Sequence, residues 1–161
     1  MNRRLNEIRE NPGLIPKVLV AVIRFGMWAQ RISFRPLSVL MKIPYRLVDL
    51  LFCKLLLNCD ISCEAQIGDG LKIYHPYGIF INSGVRIGRR FSCRGQVTIG
   101  NKGGLDENGC PVIGDDVNVG VGAKLIGSIT IGDRCTIGAN AVVTRSFPAD
   151  STLVGIPARK L

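Results

Sequence analysis

Histidine is nearly absent from this chain: His75 is the only one among 161 residues. Metal centres that need two or three imidazole ligands are therefore excluded, and no two cysteines have the Cys-x-x-Cys spacing of a zinc or redox site. No run of about 18 apolar residues occurs, so we expect no conventional transmembrane helix. Aromatic residues amount to 6% of the chain, which argues against a core of large side chains. We expect no metal site.

Six cysteines remain as candidates for a disulfide framework. Cys63, Cys93 and Cys135 stand where a small apolar side chain is wanted, so we interpret the cysteines as reduced thiols that pack as small hydrophobes. Reduced thiols favour a cytoplasmic protein. The opening Met-Asn-Arg-Arg suits a signal peptide, but the apolar stretch 18–23 is short and no small-residue cleavage site follows it. We therefore expect no secretion signal. The cysteines are Cys53, Cys59, Cys63, Cys93, Cys110 and Cys135.

What the chain does have is an apolar residue at every sixth position from Ile61 onward. A period of six fits neither the 3.6 residues of a helical turn nor the alternation of a simple strand. The repeat residues are Ile61, Ile67, Ile73, Ile79, Val85, Phe91 and Val97 in a first block and Ile113, Val119, Leu125, Ile131, Ile137 and Val143 in a second. This period is typical of hexapeptide β-helices, in which each face of a prism takes one repeat and each coil packs on the next. The sequence predicts a mainly β fold of this kind.

The net charge divides the chain near Asn58. Residues 1–58 carry ten Lys and Arg against three Asp and Glu, whereas residues 59–161 carry eleven against nine. Glycine-rich repeats also begin only after this point. We therefore predict a basic helical segment over 1–58 and a β-helix domain over 59–161.

Residues 14–57 are predicted to form short amphipathic helices. Basic residues recur among apolar ones and accompany Trp28, Phe34 and Tyr45, a pattern typical of a helix that lies in a membrane interface. Packing of these helices on the β-helix or on a neighbouring subunit is the alternative, and the two interpretations are compatible. The basic residues are Arg24, Arg31, Arg35, Lys42, Arg46 and Lys54.

The repeat is interrupted twice, and we expect the functional residues to lie at these interruptions. In the first block a companion apolar position shifts from four residues after the repeat residue to two residues after it, and His75-Pro-Tyr-Gly78 lies at this slip. The second interruption is the polar, Gly-rich stretch 100–112, which cannot continue the core. We expect it to leave the prism as a loop, and long loops in compact repeats are commonly functional.

His75 is the candidate for a general base. A neutral imidazole is suited to removing a proton from a hydroxyl, and it works better when a carboxylate holds its tautomer. Asp60 lies fifteen residues earlier, close to one turn of such a prism, and is expected to stack beside His75. Asp69 is the competing carboxylate.

Residues 59–161 resemble the serine acetyltransferase branch of the hexapeptide acyltransferases, which are left-handed β-helices. The motifs that carry the resemblance are Cys59-Asp-Ile-Ser, Ile67-Gly-Asp-Gly, His75-Pro-Tyr-Gly, Val97-Thr-Ile-Gly-Asn-Lys and Gly155-Ile-Pro-Ala-Arg159. The resemblance implies transfer of acetyl from acetyl-CoA to an acceptor hydroxyl, without a metal or a covalent enzyme intermediate. It also implies that His75 is the base, that Asp60 orients it, and that the protein is a homotrimer with shared active sites.

The chain departs from serine acetyltransferases where those enzymes hold serine. Tyr74 replaces an acidic residue before the histidine, and Gly109-Cys110-Pro111 replaces Arg-His-Pro at the end of the loop. If serine is the substrate, Arg94 or Lys102 would have to bind its carboxylate in place of the missing arginine. In these features the chain more closely resembles the colanic-acid and capsular polysaccharide O-acetyltransferases. The resemblance implies an acceptor hydroxyl on a sugar of an exopolysaccharide or capsule, or of its lipid-linked precursor, near Tyr74, Lys102 and Cys110.

The resemblance also implies a donor site in the groove between two subunits, where the pantetheine arm of acetyl-CoA lies against small residues of the coils. The arginines near the C-terminus suit the phosphates of CoA, because cations pair with phosphate directly. The matching positions are Gly120, Val121 and Ala139 for the arm, and Thr144, Arg145 and Arg159 for the phosphates and adenosine. We expect no nucleic-acid partner, and a peripheral contact with the inner leaflet of the membrane is compatible with the basic segment.

Two other functions remain open. One is serine O-acetyltransferase, with a different clamp for the serine carboxylate. The other is a non-catalytic β-helix that serves as a scaffold, because the six-residue repeat by itself specifies only a fold. Release of CoA from acetyl-CoA with serine, or with an oligosaccharide, distinguishes these functions.

Overall fold

Three helices precede the β-helix in the computed structural model, which describes residues 2–103 and 109–161. They are α1 (Asn2–Glu10), α2 (Leu14–Gln30) and α3 (Arg35–Val48), and α3 runs directly into a π-helix over Asp49–Leu56. Proline in the first turn of α3 suits the position, because the N–H that proline lacks has no partner there. None of the described helices has the length and apolar character needed to cross a bilayer.

Fifteen short strands, numbered in chain order, form the three faces of a prism. Face A consists of β1 (Asp60–Ile61), β4 (Phe80–Ile81), β7 (Thr98–Gly100), β10 (Lys124–Ile126) and β13 (Val142–Val143). Face B consists of β2 (Gln66–Ile67), β5 (Arg86–Ile87), β8 (Val112–Ile113) and β11 (Thr130–Ile131). Face C consists of β3 (Lys72–Tyr74), β6 (Ser92–Arg94), β9 (Asn118–Val119), β12 (Thr136–Ile137), β14 (Thr152–Val154) and β15 (Arg159–Lys160). All neighbours are parallel except β14 and β15. The predicted fold, a left-handed parallel β-helix with a short helical N-terminal segment, is confirmed.

The register of the parallel strands gives the length of each coil. On face A, Asp60 pairs with Phe80, Phe80 with Thr98, and Thr98 with Lys124, so successive coils take 20, 18 and 26 residues. The first longer coil contains 75–78 and the second contains 100–112. Both interruptions of the repeat therefore add residues outside the regular prism. The centre of the predicted loop, 104–108, lies outside the described residues.

The apolar repeat residues form one continuous core along the axis of the prism. Ile79, Val97, Leu125 and Ile131 are all completely buried. Full burial of an aliphatic side chain contributes about 1.5–3 kcal/mol, so stability accumulates coil by coil. The cysteines are free and four of them are buried. Burial raises the pKa of the Cys93 thiol to about 12, which keeps it protonated and unreactive.

Ion pairs join successive coils on the corner between faces B and C. Arg89 pairs with Asp115 at 2.7 Å, Arg90 with Asp116 at 2.5 Å and Arg134 with Asp150 at 2.7 Å. Each pair bridges two neighbouring coils, so this corner is tied along the axis by charged side chains as well as by backbone hydrogen bonds.

Helix α2 packs against the first coil of the β-helix. Its residues Leu19, Val20, Ile23 and Met27 are buried in the same apolar cluster as the repeat residues. For α2, the expectation that the N-terminal helices pack on the β-helix is therefore confirmed.

Arg24 corrects part of the amphipathic interpretation, since it is not a surface cation. It is 5% exposed and forms an ion pair with Glu7 of α1. Its guanidinium also donates to the carbonyl oxygens of Ile67 at 2.7 Å and Gly68 at 2.6 Å. Asn11 also contacts the backbone of the first coil, because its side-chain oxygen accepts a hydrogen bond from the N–H of Ile73 at 2.8 Å. These polar side chains fix the first two helices to the first coil.

Candidate active site

His75 lies at the end of β3, where the chain turns from face C to face A. Its φ of 53° is in the left-handed region, which is uncommon for a residue with a side chain. The N–H of Tyr77 donates to the carbonyl oxygen of His75 at 2.8 Å, closing a tight turn. The imidazole is exposed, and within the described residues nothing hydrogen-bonds to it. It is therefore free to meet an external hydroxyl.

A cavity of about 300 Å³ opens beside His75. One wall is the turn 74–77, and the other is residues 12–16, which comprise the end of the α1–α2 connection and the first residues of α2. The lining contains no Asp, Glu, Lys or Arg. Leu14 and Tyr77 project into solvent at its rim, 77% and 51% exposed. Within the described residues the lining thus offers no charged partner to an ammonium or a carboxylate group.

Among the described residues no hydrogen bond joins Asp60 to His75, so the orienting role of Asp60 stays a prediction. The coil that starts at Asp60 takes 20 residues, so the residue paired with Asp60 is Phe80. Asp60 Oδ1 instead lies 3.1 Å from Lys54 Nζ, and this hydrogen bond raises the pKa of Lys54. Sequence reasoning missed Lys54 because the contact depends on where the π-helix docks.

Asp69, the competing carboxylate, lies on a different corner of the prism. Its carbonyl oxygen accepts from the N–H of Arg90 at 2.8 Å, between faces B and C. His75 lies between faces C and A. Asp69 is thus not positioned by the fold to orient His75.

Tyr74 stands on face C immediately before His75. It pairs with Arg94 in the β3–β6 register, and the Arg94 guanidinium lies 5.3 Å above the centre of its ring. This distance is within the range of a cation–π interaction. Arg94 also donates to Asn118 Oδ1 at 3.1 Å. The position that is acidic in serine acetyltransferases is here an aromatic ring covered by a cation.

The corner between faces C and A is called the C–A corner. On it, His75 lies in line along the axis with the small residues that are expected to bind acetyl-CoA. The corner comprises 75–78, 95–96, 120–122 and 138–140, joined coil to coil by backbone hydrogen bonds of 2.7–3.0 Å. At about 4.8 Å per coil, Val121 lies about 10 Å and Ala139 about 14 Å along the axis from His75.

Close backbone approach excludes a side chain at two positions of the C–A corner. A Cβ on Gly120 would lie 2.6 Å from the backbone nitrogen of Ala139, and a Cβ on Gly95 would lie 2.5 Å from the carbonyl oxygen of His75. Neither distance is compatible with a side chain, so both positions require glycine. These two glycines therefore allow successive coils to stack closely at this corner.

The other predicted donor residues lie elsewhere on the protomer. Thr144 and Arg145 follow β13 on the corner between faces A and B, called the A–B corner, and the Arg145 guanidinium lies 5.1 Å from the ring centre of Phe147. Arg159 is in β15 on face C, paired with Val154. All three are exposed. One protomer therefore does not bring the six predicted acetyl-CoA-binding residues into a single site.

The ends of the interrupted stretch also lie on the A–B corner. The aliphatic part of Lys102 covers Gly127, where a Cβ would lie 2.7 Å from Lys102 Cε. Cys110 is half-buried, and its Sγ lies 3.4 Å from Asn82 Oδ1. Lys102 and Cys110 are thus separated from His75 by the width of face A.

The structure also shows one element of the cavity that the sequence did not predict, the 12–16 wall. Pro12 and Gly13 signal a break between helices, but no pattern in the sequence indicates that this break lies against the His75 turn. The contact depends on the docking of α2 on the first coil.

Comparison with known proteins gives a consistent assignment. Residues 110–145 match the family model described as bacterial transferase hexapeptide (six repeats). A serine acetyltransferase of Staphylococcus xylosus is 45% identical over 98 residues, covering 61% of this chain and 45% of that protein. A protein of Escherichia coli (strain K12) named as a colanic acid biosynthesis acetyltransferase, WcaB, is 39% identical over 100 residues, covering 62% of this chain and 61% of that protein. The chain thus spans less than two thirds of the length of these curated relatives.

A solved structure extends the comparison to the helical segment. The soybean serine acetyltransferase complexed with serine superposes with a TM-score of 0.80 at 27% sequence identity, covering 99% of this chain and 68% of that chain. The likeness therefore includes α1 to α3 as well as the β-helix.

Proposed function

The chain belongs to the hexapeptide-repeat transferase family, and on that premise we propose that it is an O-acetyltransferase that uses acetyl-CoA. Its acceptor is a hydroxyl on a sugar of an exopolysaccharide or capsule, or of the lipid-linked precursor of one. The reaction takes place in the cytoplasm, in agreement with six free cysteines. The proposal rests on one observation above all, which is that His75 and the small donor residues share the C–A corner.

His75 acts as the general base. A ring nitrogen accepts the proton of the acceptor hydroxyl while the hydroxyl oxygen attacks the thioester carbonyl carbon. The C–S bond then breaks, CoA leaves as the thiolate, and the imidazolium returns its proton to the sulfur. The products are an acetyl ester and CoA, and the enzyme is unchanged. General base catalysis of this kind contributes about 10²–10⁴ in rate.

The C–A corner supports an extended donor beside the base. Gly120, Val121 and Ala139 lie about 10–14 Å along the axis from His75 at about 4.8 Å per coil. An extended pantetheine arm laid on this edge would bring its thioester toward His75. Backbone groups at the corner are the available donors for an oxyanion.

The two corners of face A support a homotrimer. His75, Gly120 and Ala139 lie on the C–A corner, whereas Cys110 and Arg145 lie on the A–B corner of the same protomer. A site that uses both sets needs two protomers, with the C–A corner of one facing the A–B corner of the next. Closed cyclic assembly with such a heterologous contact is the usual arrangement for a trimer.

The uncharged lining at His75 favours a sugar hydroxyl over serine. Residues 12–16 and 74–77 supply no Asp, Glu, Lys or Arg for an ammonium or a carboxylate group. The second candidate, serine O-acetyltransferase, is favoured by the relatives with that name and by the likeness to the soybean structure. For serine, Arg94 is a cation close to the turn, through its contact with Tyr74.

CoA release measured with acetyl-CoA and each acceptor tests the proposal. We expect turnover with capsule-type oligosaccharides or lipid-linked saccharides and none with serine. Efficient turnover with serine would establish the second candidate instead. His75→Ala should lower turnover by about 10²–10⁴. It should lower the unfolding temperature only slightly, because the imidazole is exposed but alanine suits the left-handed φ of 53° less well than histidine does. Full activity in His75→Ala would refute the mechanism, and no acetyl transfer in the native protein would favour a scaffold.

A further inference from the structure

Helix α3 and the π-helix expose a stripe of large apolar side chains, called the apolar stripe. Its members recur at intervals of three and four residues, so they lie on one side of the helix. They are 48–63% exposed. A contiguous patch of exposed apolar side chains on a protein surface marks a contact with a partner or a membrane. The apolar stripe consists of Val39, Leu40, Ile43, Leu47 and Leu50.

A basic stripe, Arg35, Lys42 and Arg46, runs next to the apolar stripe. The spacings of seven and four residues put these cations on one line, about one fifth of a turn from Val39 and Ile43. Within the described residues, none of the three has an ion-pair partner. Asp49 is the only acidic residue between 31 and 57, and its Oδ2 lies 3.9 Å from Lys54 Nζ.

A third line of residues attaches α3 to the rest of the protein. Ser38 Oγ donates to the carbonyl oxygen of Ala29 at 3.2 Å. Tyr45 is buried against Gly26, where an added Cβ would lie 2.4 Å from the tyrosine ring. Burial on this side fixes the rotation of α3, so Val39, Leu40 and Ile43 project into solvent. Lys42 and Arg46 line the mouth of a cavity of about 380 Å³ next to the first coil.

We propose that α3 and the π-helix dock on an anionic lipid bilayer. The apolar stripe enters the interface, and Arg35, Lys42 and Arg46 reach the headgroup phosphates along its edge. A second copy of the chain fits this surface less well. A two-fold contact would bring the same three unpaired cations of both copies together.

The docking surface does not include His75, which lines a different cavity. The 12–16 wall of the His75 cavity begins the helix on which α3 packs, so docking would hold the cavity near the lipid. An acceptor carried on a lipid would then be presented close to His75. This consequence depends on the proposed function, whereas the docking itself does not.

Flotation of the full-length protein with vesicles tests the docking. We expect binding to vesicles of phosphatidylcholine with phosphatidylglycerol and little binding to phosphatidylcholine alone. Lys42→Gln with Arg46→Gln should weaken partitioning about thirtyfold, at about 1 kcal/mol per charge. Ile43→Ser with Leu47→Ser should also weaken it, because two inserted side chains are lost. Point substitutions are needed because deleting the helices would uncover the core residues Leu19 and Val20.

Val112→Ser with Lys160→Gln is the matched control, because it removes an exposed apolar side chain and an exposed cation far from α3. It should bind vesicles as the native protein does. Equal binding to neutral and anionic vesicles, binding to neither, or unchanged binding of either α3 variant would overturn the proposal. Loss of an oligomer in Ile43→Ser with Leu47→Ser, seen by sedimentation, would identify a second copy as the occupant. His75→Ala should bind normally, which separates docking from catalysis.

Discussion

Arg24 and Glu7 form an ion pair between α1 and α2 from which water is excluded. The distance from Arg24 Nη2 to Glu7 Oε1 is 2.7 Å, and the two side chains are 5% and 1% exposed. Two carbonyl oxygens of the first coil complete the partners of the guanidinium. Removing one member of such a pair leaves the other charge buried without compensation.

We expect Arg24→Met to lower the free energy of unfolding by about 3–5 kcal/mol. The cause is the isolated Glu7 carboxylate together with two carbonyl oxygens that lose their donor. Denaturant unfolding followed by circular dichroism measures the effect. Arg31→Met is the control, because Arg31 is exposed at the end of α2, and its change should be within about 0.5 kcal/mol. Equal losses in the two variants would contradict the role of the buried pair.

Asp60 gives a test of the proposed orienting carboxylate. If Asp60 turns from Lys54 to His75 in the working enzyme, Asp60→Asn should lower kcat well below that of the native protein. Lys54→Met removes the same 3.1 Å ion pair but keeps the carboxylate, so its kcat should be retained. Steady-state rates of both variants at saturating acetyl-CoA decide the matter. A normal kcat in Asp60→Asn would remove Asp60 from the mechanism and leave His75 to act alone.

Gly120 gives a test of the donor edge. Gly120→Ala should cost about 1–3 kcal/mol of stability through overpacking, because its Cβ would lie 2.6 Å from the backbone of Ala139. It should also raise the KM for acetyl-CoA. Gly132→Ala is the matched control, since its Cβ would lie 2.2 Å from the backbone nitrogen of Ala149 on the corner between faces B and C. That variant should lose stability but keep its KM, and a raised KM in both would contradict the assignment.

The ion pairs between coils predict a loss of stability in acid. The side-chain hydrogen bond from Arg90 lowers the pKa of Asp116 below its usual 3.8, and Arg134 does the same for Asp150. Because the folded pKa lies below the unfolded one, these carboxylates stabilise the fold at pH values above the unfolded pKa. That stability is lost as the pH falls through the lower, folded pKa.

Thermal unfolding of Asp116→Asn as a function of pH measures this effect. The variant should be less stable than the native protein near neutral pH, and its stability should fall less steeply below about pH 4. Asparagine tolerates the left-handed φ of 59° at this position, so backbone strain does not confuse the comparison. Glu64→Gln, which removes an exposed carboxylate elsewhere, should keep the native slope. A native slope in Asp116→Asn would show that the pair does not carry the acid dependence.

Periodicity predicts this fold because the coil is a local repeat. Residues such as Ile131 and Ile137 are six apart and occupy equivalent places on successive faces, so their burial follows from the sequence alone. The same logic fails at the slip around His75. There the coil lengthens to 20 residues, so counting fifteen residues from Asp60 does not reach its register partner, Phe80.

Contacts between the helices and the coils depend on docking, which the sequence does not encode locally. Arg24 occurs in a series of basic residues and looks like a surface cation, yet its partners are Glu7 and the backbone of the first coil. Lys54 is in the same series and meets Asp60. Which members of the series are buried is set by the side of each helix that faces the prism.

The contacts of Asn11 and Arg24 have a further consequence for solubility. The first coil of a β-helix has no coil before it, so its outer N–H and C=O groups form an open strand edge that another chain can pair with. Asn11 binds the N–H of Ile73 and the carbonyl of Leu71, and Arg24 binds the carbonyls of Ile67 and Gly68. At the opposite end, β15 pairs antiparallel with β14. These contacts cover part of the strand edge at one end of the prism and reverse the strand direction at the other, and both features disfavour pairing with the parallel strands of another chain.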